Sequence, residues 1–122
     1  MVRSVLVVDD SLSMRTLICE TLKRLGHKTV EAAHGQEALE RIRTIGSFDL
    51  MITDLNMPMM DGITLVRNVR KVAALQYLPI LFLTTETRQD QKNKAKEVGA
   101  TGWLTKPFDP KQLTLVVQRI LP

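Results

Sequence analysis

The sequence is poor in cysteine and aromatic residues, and it has no long apolar run. Its single cysteine, Cys19, excludes an internal disulfide and is typical of a reducing compartment, which predicts a cytoplasmic location. No stretch approaches the ~20 apolar residues that span a membrane, so we expect no membrane span, and no signal peptide either. Aromatic residues form 4% of the chain and do not alternate with basic ones, which argues against a surface for single-stranded nucleic acid.

The remaining composition is that of an ordinary globular domain. Hydrophobic residues make up 44% of the sequence and charged residues 25%, and 122 residues are enough for one core. We therefore expect a single domain over residues 1–122. The net charge is +4, but the basic residues are scattered and no helix-turn-helix or zinc-finger pattern is present. This charge favours an acidic protein partner and not a nucleic acid.

Strand-like apolar runs alternate five times with helix-like segments. The pattern predicts strands at residues 4–9, 28–32, 49–54, 79–84 and 102–105, and helices at residues 13–25, 36–43, 63–71, 88–98 and 110–121. The runs at 5–8 and 80–83 are apolar throughout, which indicates strands that are covered on both faces. This (βα)5 alternation predicts an α/β fold, a three-layer sandwich with one open parallel sheet and right-handed crossovers.

The fourth predicted helix, residues 88–98, is weakly apolar. Only Ala95 and Val98 are available for the core, whereas three lysines between residues 92 and 96 make its surface strongly positive. Two interpretations stay open: a solvated surface helix, or an element that is free to shift because few buried contacts hold it. The lysine run is likewise either a solvated face or a docking surface for an acidic peptide.

Charged and hydroxyl side chains lie at the ends of four predicted strands. Asp9 and Asp10 end the first strand, Asp54 ends the third, Thr84 ends the fourth, and Lys106 follows the fifth. Because the carboxyl ends of parallel strands meet at one edge of a sheet, we expect these side chains to form one cleft. Carboxylate oxygens favour a hard cation such as Mg²⁺, and the lysine supplies a fixed positive charge. Such a cleft can hold a phosphoryl group, with Asp54 as a nucleophile that forms an aspartyl phosphate.

Four segments carry specific motifs in a defined order. They are Val-Val-Asp-Asp-Ser at 7–11, Asp-Leu-Asn-Met-Pro-Met-Met-Asp-Gly at 54–62, Leu-Thr-Thr-Glu at 83–86 and Trp-Leu-Thr-Lys-Pro-Phe at 103–108. Over essentially the whole chain, their order and spacing resemble a response-regulator receiver domain, in particular the stand-alone chemotaxis type, the CheY-like proteins. The resemblance implies a flavodoxin-like fold whose five-stranded parallel sheet has the order 2-1-3-4-5.

The resemblance also implies a chemistry for the cleft. Asp54 would accept a phosphoryl group from a histidine kinase or a phosphotransfer domain, with Mg²⁺ as the cofactor. Asp9, Asp10, Asp54 and the backbone carbonyl of Asn56 would hold the metal. Lys106 would contact the phosphoryl group.

A switching mechanism is implied by the same resemblance. Thr84 would move toward the phosphoryl group, and Trp103 would then turn inward and change the surface of the fourth helix, the fifth strand and the fifth helix. Asn56 and Glu86 would tune dephosphorylation. Two positions depart from the family pattern: Trp103 stands where tyrosine or phenylalanine is usual, and Thr85 stands where a smaller residue is common, which predicts narrower access to the phosphoryl group.

The favoured interpretation is a signalling switch in chemotaxis or motility that catalyses only its own phosphorylation and dephosphorylation. Because the sequence ends just after the last predicted helix, we expect no output domain, and the target would be a protein such as one of the flagellar motor. For an isolated receiver we expect a monomer. A phosphorelay intermediate that passes its phosphoryl group to another histidine protein stays open. A phosphohydrolase is disfavoured, because many of these enzymes have an acid two positions after the nucleophile, where this chain has Asn56. The complete set of site residues disfavours a degenerate receiver.

Overall fold

Residues 2–122 are described by a computed structural model in which strands and helices alternate. The strands are β1 (Ser4–Val8), β2 (Lys28–Ala32), β3 (Leu50–Thr53), β4 (Ile80–Thr84) and β5 (Gly102–Thr105). The helices are α1 (Leu12–Arg24), α2 (Gly35–Ile45), α3 (Gly62–Arg70), α4 (Gln89–Glu97) and α5 (Pro110–Ile120), with a 3₁₀ turn at Ala73–Leu75. Every predicted strand and helix is present, with ends shifted by at most two residues, and the 3₁₀ turn is the one addition within residues 2–122. No helix in this part of the chain is both long and apolar enough to cross a membrane.

The five strands form one parallel sheet in the order β2-β1-β3-β4-β5, which confirms the predicted flavodoxin-like order. The chain runs outward from β1 to β2 and then returns to β3 on the other side of β1. The order of the strands therefore reverses between β1 and β3, and in open sheets of this kind ligands bind at the carboxyl edge beside that point.

Two helical layers cover the sheet. Alternate residues of a strand point to opposite faces, and β1 divides its apolar residues accordingly. On one face Val5 and Val7 pack with α1 and α5, in a core that includes Ile18, Leu22 and Val117. On the other face Leu6 and Val8 pack with α2, α3 and α4, in a core that includes Ala38, Val66 and Ala95. Both faces of β1 are thus buried, as its continuous apolar run predicts.

Helix α4 is held mainly at its C-terminal end. Ala95 is its one buried residue, and the side chain of the N-cap residue Arg88 accepts no capping hydrogen bond, because a guanidinium has no acceptor. Beyond the helix, the guanidinium of Arg70 in α3 donates to the carbonyl oxygens of Val98 and Gly99, at 3.2 and 2.9 Å. The N-terminal part of α4 has few buried contacts and therefore opens at low free energy.

Candidate functional site

The carboxyl ends of β1 and β3 place two aspartates side by side. Asp9 and Asp54 lie one residue beyond these strands instead of inside them as predicted, and the backbone N–H of Asp54 donates to the Val8 carbonyl oxygen at 3.1 Å. Both are buried, with relative exposures of 1% and 9%, whereas Asp10 is exposed. One carboxylate oxygen from each of Asp9, Asp10 and Asp54 lies within 4.8 Å of the others. The structure therefore brings the three acids into one cluster, called the acid cluster below.

Lys106 reaches the acid cluster from the loop after β5. Its backbone N–H donates to the Thr84 carbonyl oxygen at 2.9 Å, and its peptide bond to Pro107 is cis. Its Nζ donates to Asp9 Oδ2 at 2.7 Å and to Asp54 Oδ2 at 3.1 Å. Burial of the ammonium lowers the pKa of Lys106, but the hydrogen bond to Asp9 and the negative charge of Asp54 outweigh it, and the pKa is raised above its usual value. Lys106 is therefore a fixed positive charge at neutral pH.

The acid cluster carries more negative than positive charge. Three carboxylates against one ammonium leave a formal excess of two negative charges. Carboxylate oxygens are hard ligands of the kind that Mg²⁺ prefers, and a divalent cation would balance this excess. The charge and the donor set of the acid cluster are therefore compatible with Mg²⁺.

Asn56 and Thr84 border the acid cluster through different groups. The backbone N–H of Asn56 donates to Asp54 Oδ1 at 3.3 Å, and its side chain is exposed. Thr84 is fully buried, and its hydroxyl oxygen accepts a hydrogen bond from the Glu86 N–H at 3.2 Å. That bond uses a lone pair of the hydroxyl, so the O–H of Thr84 keeps its capacity to donate. The neighbouring Thr85 is exposed.

Glu86 is restrained by the start of the α4 segment. Arg88 Nη2 donates to Glu86 Oε1 at 2.8 Å, and Glu86 Oε2 accepts from the backbone N–H of Thr87 at 3.1 Å. The hydrogen bond from Arg88 lowers the pKa of Glu86 to about 2. The carboxylate is therefore ionised throughout the neutral range, with its position fixed by its own loop.

Trp103 lies on the same face of the sheet as Thr84. Thr84 pairs in register with Thr105, and Trp103 stands two residues earlier on β5. Its ring centroid is 5.9 Å from that of Phe82, and Lys92 Nζ lies 5.8 Å from the indole centroid. Among residues 2–122 the buried indole Nε1 finds no hydrogen-bond partner. A buried unpaired N–H costs about 1–3 kcal/mol, which opposes the favourable contacts of the ring with Phe82 and Lys92.

The lysine run of α4 is not uniformly solvated. Lys94 and Lys96 are exposed, but Lys92 is half-buried over the ring of Trp103. A cavity of about 380 Å³ lies beside this pair, between α4 and residues 100–103. Lys92 is therefore only partly solvated, and a cation placed over an indole face gains a favourable contact there.

Two residues near the start of α1 have contacts with the site that the sequence does not indicate: Ser11 just before the helix and Arg15 in its first turn. The backbone N–H of Ser11 donates to Asp9 Oδ1 at 2.9 Å, and Arg15 Nη1 donates to the Asp9 carbonyl oxygen at 2.7 Å. A capping serine before a helix is a recognisable signal, and Ser11 Oγ does accept from the Met14 N–H at the start of α1. No local pattern indicates the contact of Arg15, which depends on how the helix packs.

Comparison with known proteins identifies relatives over the whole fold. The family described as response regulator receiver domain matches residues 5–118. Chemotaxis protein CheY1 of Helicobacter pylori is 40% identical over 117 residues, which cover 95% of this chain and 94% of the relative. Chemotaxis protein CheY of Pseudomonas aeruginosa has the same identity and coverage. The structure of Vibrio cholerae chemotaxis protein CheY4 has a TM-score of 0.93 and 44% identity, and covers 98% of this chain and 99% of that chain.

The parallel α/β fold with acids at its carboxyl edge defines the class of protein, and the chain belongs to the response regulator receiver domain family. Within this family it is a CheY-like receiver, homologous to chemotaxis response regulators of two-component systems. The family predicted from the four motifs is therefore confirmed. A receiver of this type is a signalling switch.

Proposed function

We propose that the protein is a phosphorylation-activated response regulator in which Asp54 accepts a phosphoryl group from a histidine kinase or a phosphotransfer domain. The observation that carries the proposal is the buried carboxylate of Asp54, 3.1 Å from the ammonium of Lys106 and inside a cluster of three acids. A nucleophile, a fixed positive charge and hard oxygen ligands are the parts that phosphoryl transfer to a carboxylate requires.

In the proposed reaction, a carboxylate oxygen of Asp54 attacks the phosphorus of a phosphohistidine. A P–O bond forms as the P–N bond breaks, and the imidazole leaves with the bonding electrons. The ammonium of Lys106 neutralises charge on the phosphoryl oxygens and is held in place by Asp9, 2.7 Å away. Mg²⁺, held by Asp9, Asp10, Asp54 and the backbone carbonyl of Asn56, would supply further neutralisation. Attack of water on the phosphorus of the aspartyl phosphate breaks the P–O bond to Asp54, releases inorganic phosphate, restores the carboxylate and ends the signal.

Switching is proposed to run from Thr84 to Trp103. The hydroxyl of Thr84 would turn toward the phosphoryl group and give up its hydrogen bond from Glu86. Trp103, whose indole N–H is unpaired among residues 2–122, would then change its packing against α4. Because Ala95 is the one buried residue of α4, the helix can respond at small cost. The surface formed by α4, β5 and α5 would thereby change its affinity for a target.

The proposed output is protein binding in chemotaxis or motility, with the flagellar motor as the class of target. Similarity to chemotaxis proteins of three bacteria supports this choice. The exposed Lys94 and Lys96 of the α4 surface favour an acidic partner. A pull-down with the phosphorylated protein is expected to recover a motor protein. Recovery of a histidine phosphotransfer protein instead would favour the phosphorelay alternative.

The emission of Trp103 provides a test of the proposed function. Trp103 is the only tryptophan of the chain, so its fluorescence reports on the switch surface. Mg²⁺ together with beryllofluoride, which mimics the phosphoryl group, is expected to change the emission of the wild type. The change should disappear in Asp54→Ala, and Mg²⁺ or beryllofluoride alone should not produce it. An equal change in Asp54→Ala would refute the proposed coupling of Asp54 to Trp103.

Asn56 and Glu86 are proposed to set the lifetime of the aspartyl phosphate. Asn56→Ala and Glu86→Ala are each expected to change this lifetime about fivefold, the effect of one hydrogen bond worth about 1 kcal/mol. The rate of phosphorylation should change less, because neither side chain holds the nucleophile or Lys106. Decay of the phosphorylated form after removal of the donor measures the lifetime, with the exposed Gln89→Ala as the control. Identical lifetimes in all four proteins would exclude this role.

A further inference from the structure

Arg15 connects the β1–α1 turn to β2. Its Nη1 donates to the carbonyl oxygen of Asp9 at 2.7 Å, and its Nε donates to Glu31 Oε1 at 3.0 Å. The side chain of Arg15 is 14% exposed, whereas that of Glu31 is 45% exposed. The first turn of α1 places Arg15, because its backbone N–H donates to the Ser11 carbonyl oxygen at 3.0 Å. Arg15 is therefore a largely buried bridge behind the acid cluster.

The bond from Arg15 acts on a peptide unit that serves two acids. The Asp9 carbonyl belongs to the peptide that links Asp9 to Asp10. The plane of this peptide contains the Cα atoms of both residues, so a bond that fixes the carbonyl oxygen also restrains the directions of both side chains. The carboxylate of Asp9 is held separately, by the Ser11 N–H at 2.9 Å and by Lys106 Nζ at 2.7 Å. The carboxylate of Asp10 is exposed. The orientation of Asp10 therefore depends strongly on the peptide plane.

We propose that Arg15 is a positioning residue of the acid cluster, which sets the affinity of the cluster for a divalent cation by fixing the Asp9–Asp10 peptide. The inference rests on the metal site of the proposed function. Mg²⁺ requires nearly ideal octahedral geometry, so a small rotation of two ligands weakens binding. Groups that orient metal ligands from behind typically contribute 10–100-fold to metal affinity.

The charge of Arg15 predicts the opposite effect, so the two roles can be separated. A guanidinium near the site repels a cation, and its removal alone would tighten Mg²⁺ binding. Loss of positioning weakens binding instead. Arg15→Lys adds a second distinction, since lysine keeps the charge but lacks the planar fork that serves Asp9 and Glu31 together. Weaker binding of Mg²⁺ by both Arg15→Met and Arg15→Lys is therefore expected if Arg15 positions the acids, and not if only its charge matters.

Isothermal titration with Mg²⁺ tests the inference on the full chain. Arg15→Met is expected to raise the dissociation constant about 10–100-fold, and Arg15→Lys is expected to raise it as well. Glu31→Gln is the matched control, because it removes the charge of the exposed partner but keeps the bond from Arg15 to Asp9, and should change the constant no more than about fivefold. Phosphorylation of Asp54 by acetyl phosphate should recover toward the wild-type rate when Mg²⁺ saturates the variants.

Unchanged or tighter Mg²⁺ binding by the Arg15 variants would overturn the inference. Urea unfolding in EDTA measures stability separately, because a purely structural role would lower the free energy of unfolding but leave the Mg²⁺ affinity of the folded protein unchanged. If Arg15→Met does not fold, the dissociation constants of Arg15→Lys and Glu31→Gln for Mg²⁺ are compared instead, and a weaker affinity in Arg15→Lys alone supports positioning. A wild type that binds no Mg²⁺ would contradict the metal site itself, and this inference with it.

Discussion

Replacing Lys106 by methionine is expected to slow phosphorylation of Asp54 by acetyl phosphate about 10²–10³-fold. The ammonium of Lys106 donates to both Asp9 and Asp54, so it lies where charge develops on a transferred phosphoryl group. Removing one preorganised hydrogen-bond donor from such a position typically lowers the rate of reaction about 10²–10³-fold. Methionine keeps an unbranched side chain in the same space without its charge. The measurement is the rate of aspartyl-phosphate formation at saturating Mg²⁺.

The same replacement is expected to make the stability of the protein depend more strongly on Mg²⁺ than that of the wild type does. Without the ammonium, the buried carboxylates of Asp9 and Asp54 lose their paired charge, and breaking a buried ion pair costs about 3–5 kcal/mol. The free energy of unfolding should fall by this amount in EDTA and recover in part with Mg²⁺, because a ligand that binds only the folded state stabilises it.

Lys94→Met is the matched control for Lys106→Met, since Lys94 is exposed on α4. It should change neither the rate of phosphorylation nor the dependence of stability on Mg²⁺. A Lys106→Met protein that is phosphorylated within a few fold of the wild-type rate would contradict the role proposed for the ammonium.

Gly62→Ala is expected to lower the free energy of unfolding by about 2 kcal/mol. A Cβ at Gly62 would overlap the carbonyl oxygen of Asp54 and lie 2.8 Å from Phe82 Cε1 and 2.9 Å from Leu55 Cα. Two of these atoms are backbone and cannot turn aside, so the cost is near the upper end of the ~1–3 kcal/mol of overpacking. The gain from replacing a helical glycine by alanine, at most about 1 kcal/mol, offsets only part of it. Urea unfolding measures the difference.

Gly35→Ala is the control for this prediction, because Gly35 also begins a helix. The three atoms nearest to its Cβ would all belong to the side chain of Met60, with Sδ at 2.6 Å, and because that side chain is flexible the change in stability should stay below about 1 kcal/mol. Because the backbone of Asp54 shifts in Gly62→Ala alone, only that variant should also be phosphorylated more slowly. Equal stabilities of the two variants would show that the Gly62 site can relax.

Much of the fold could be predicted because its strands are apolar on both faces. The runs at residues 5–8 and 80–83 are almost completely buried, as expected for strands that are covered on both faces. Of the two core residues predicted for the fourth helix, Ala95 is buried, whereas Val98 lies just beyond the helix and is half-buried against the same core. The strand order came from the resemblance, because the pattern of apolar residues specifies a parallel sheet without specifying which strands are neighbours. The 3₁₀ turn at Ala73–Leu75 is too short to show a periodic signal.

The site residues at the ends of strands could be predicted from the sequence. The contacts made by long side chains from the helices could not. Asp9, Asp54 and Lys106 meet because their strands are parallel, which the sequence indicates. The contact of Arg15 with Asp9 and that of Lys92 with Trp103 depend on how helices pack, which no local pattern specifies. The catalytic and switching roles of these residues stay predictions.

Mass spectrometry of the intact protein tests the central claim most directly. After incubation with Mg²⁺ and acetyl phosphate, the wild type is predicted to gain one labile phosphoryl group, located at Asp54. Asp54→Ala should gain none, and EDTA should prevent the gain in the wild type. A wild type without added mass, or an Asp54→Ala protein that gains the same group, would contradict the assignment of Asp54 as the phosphoacceptor.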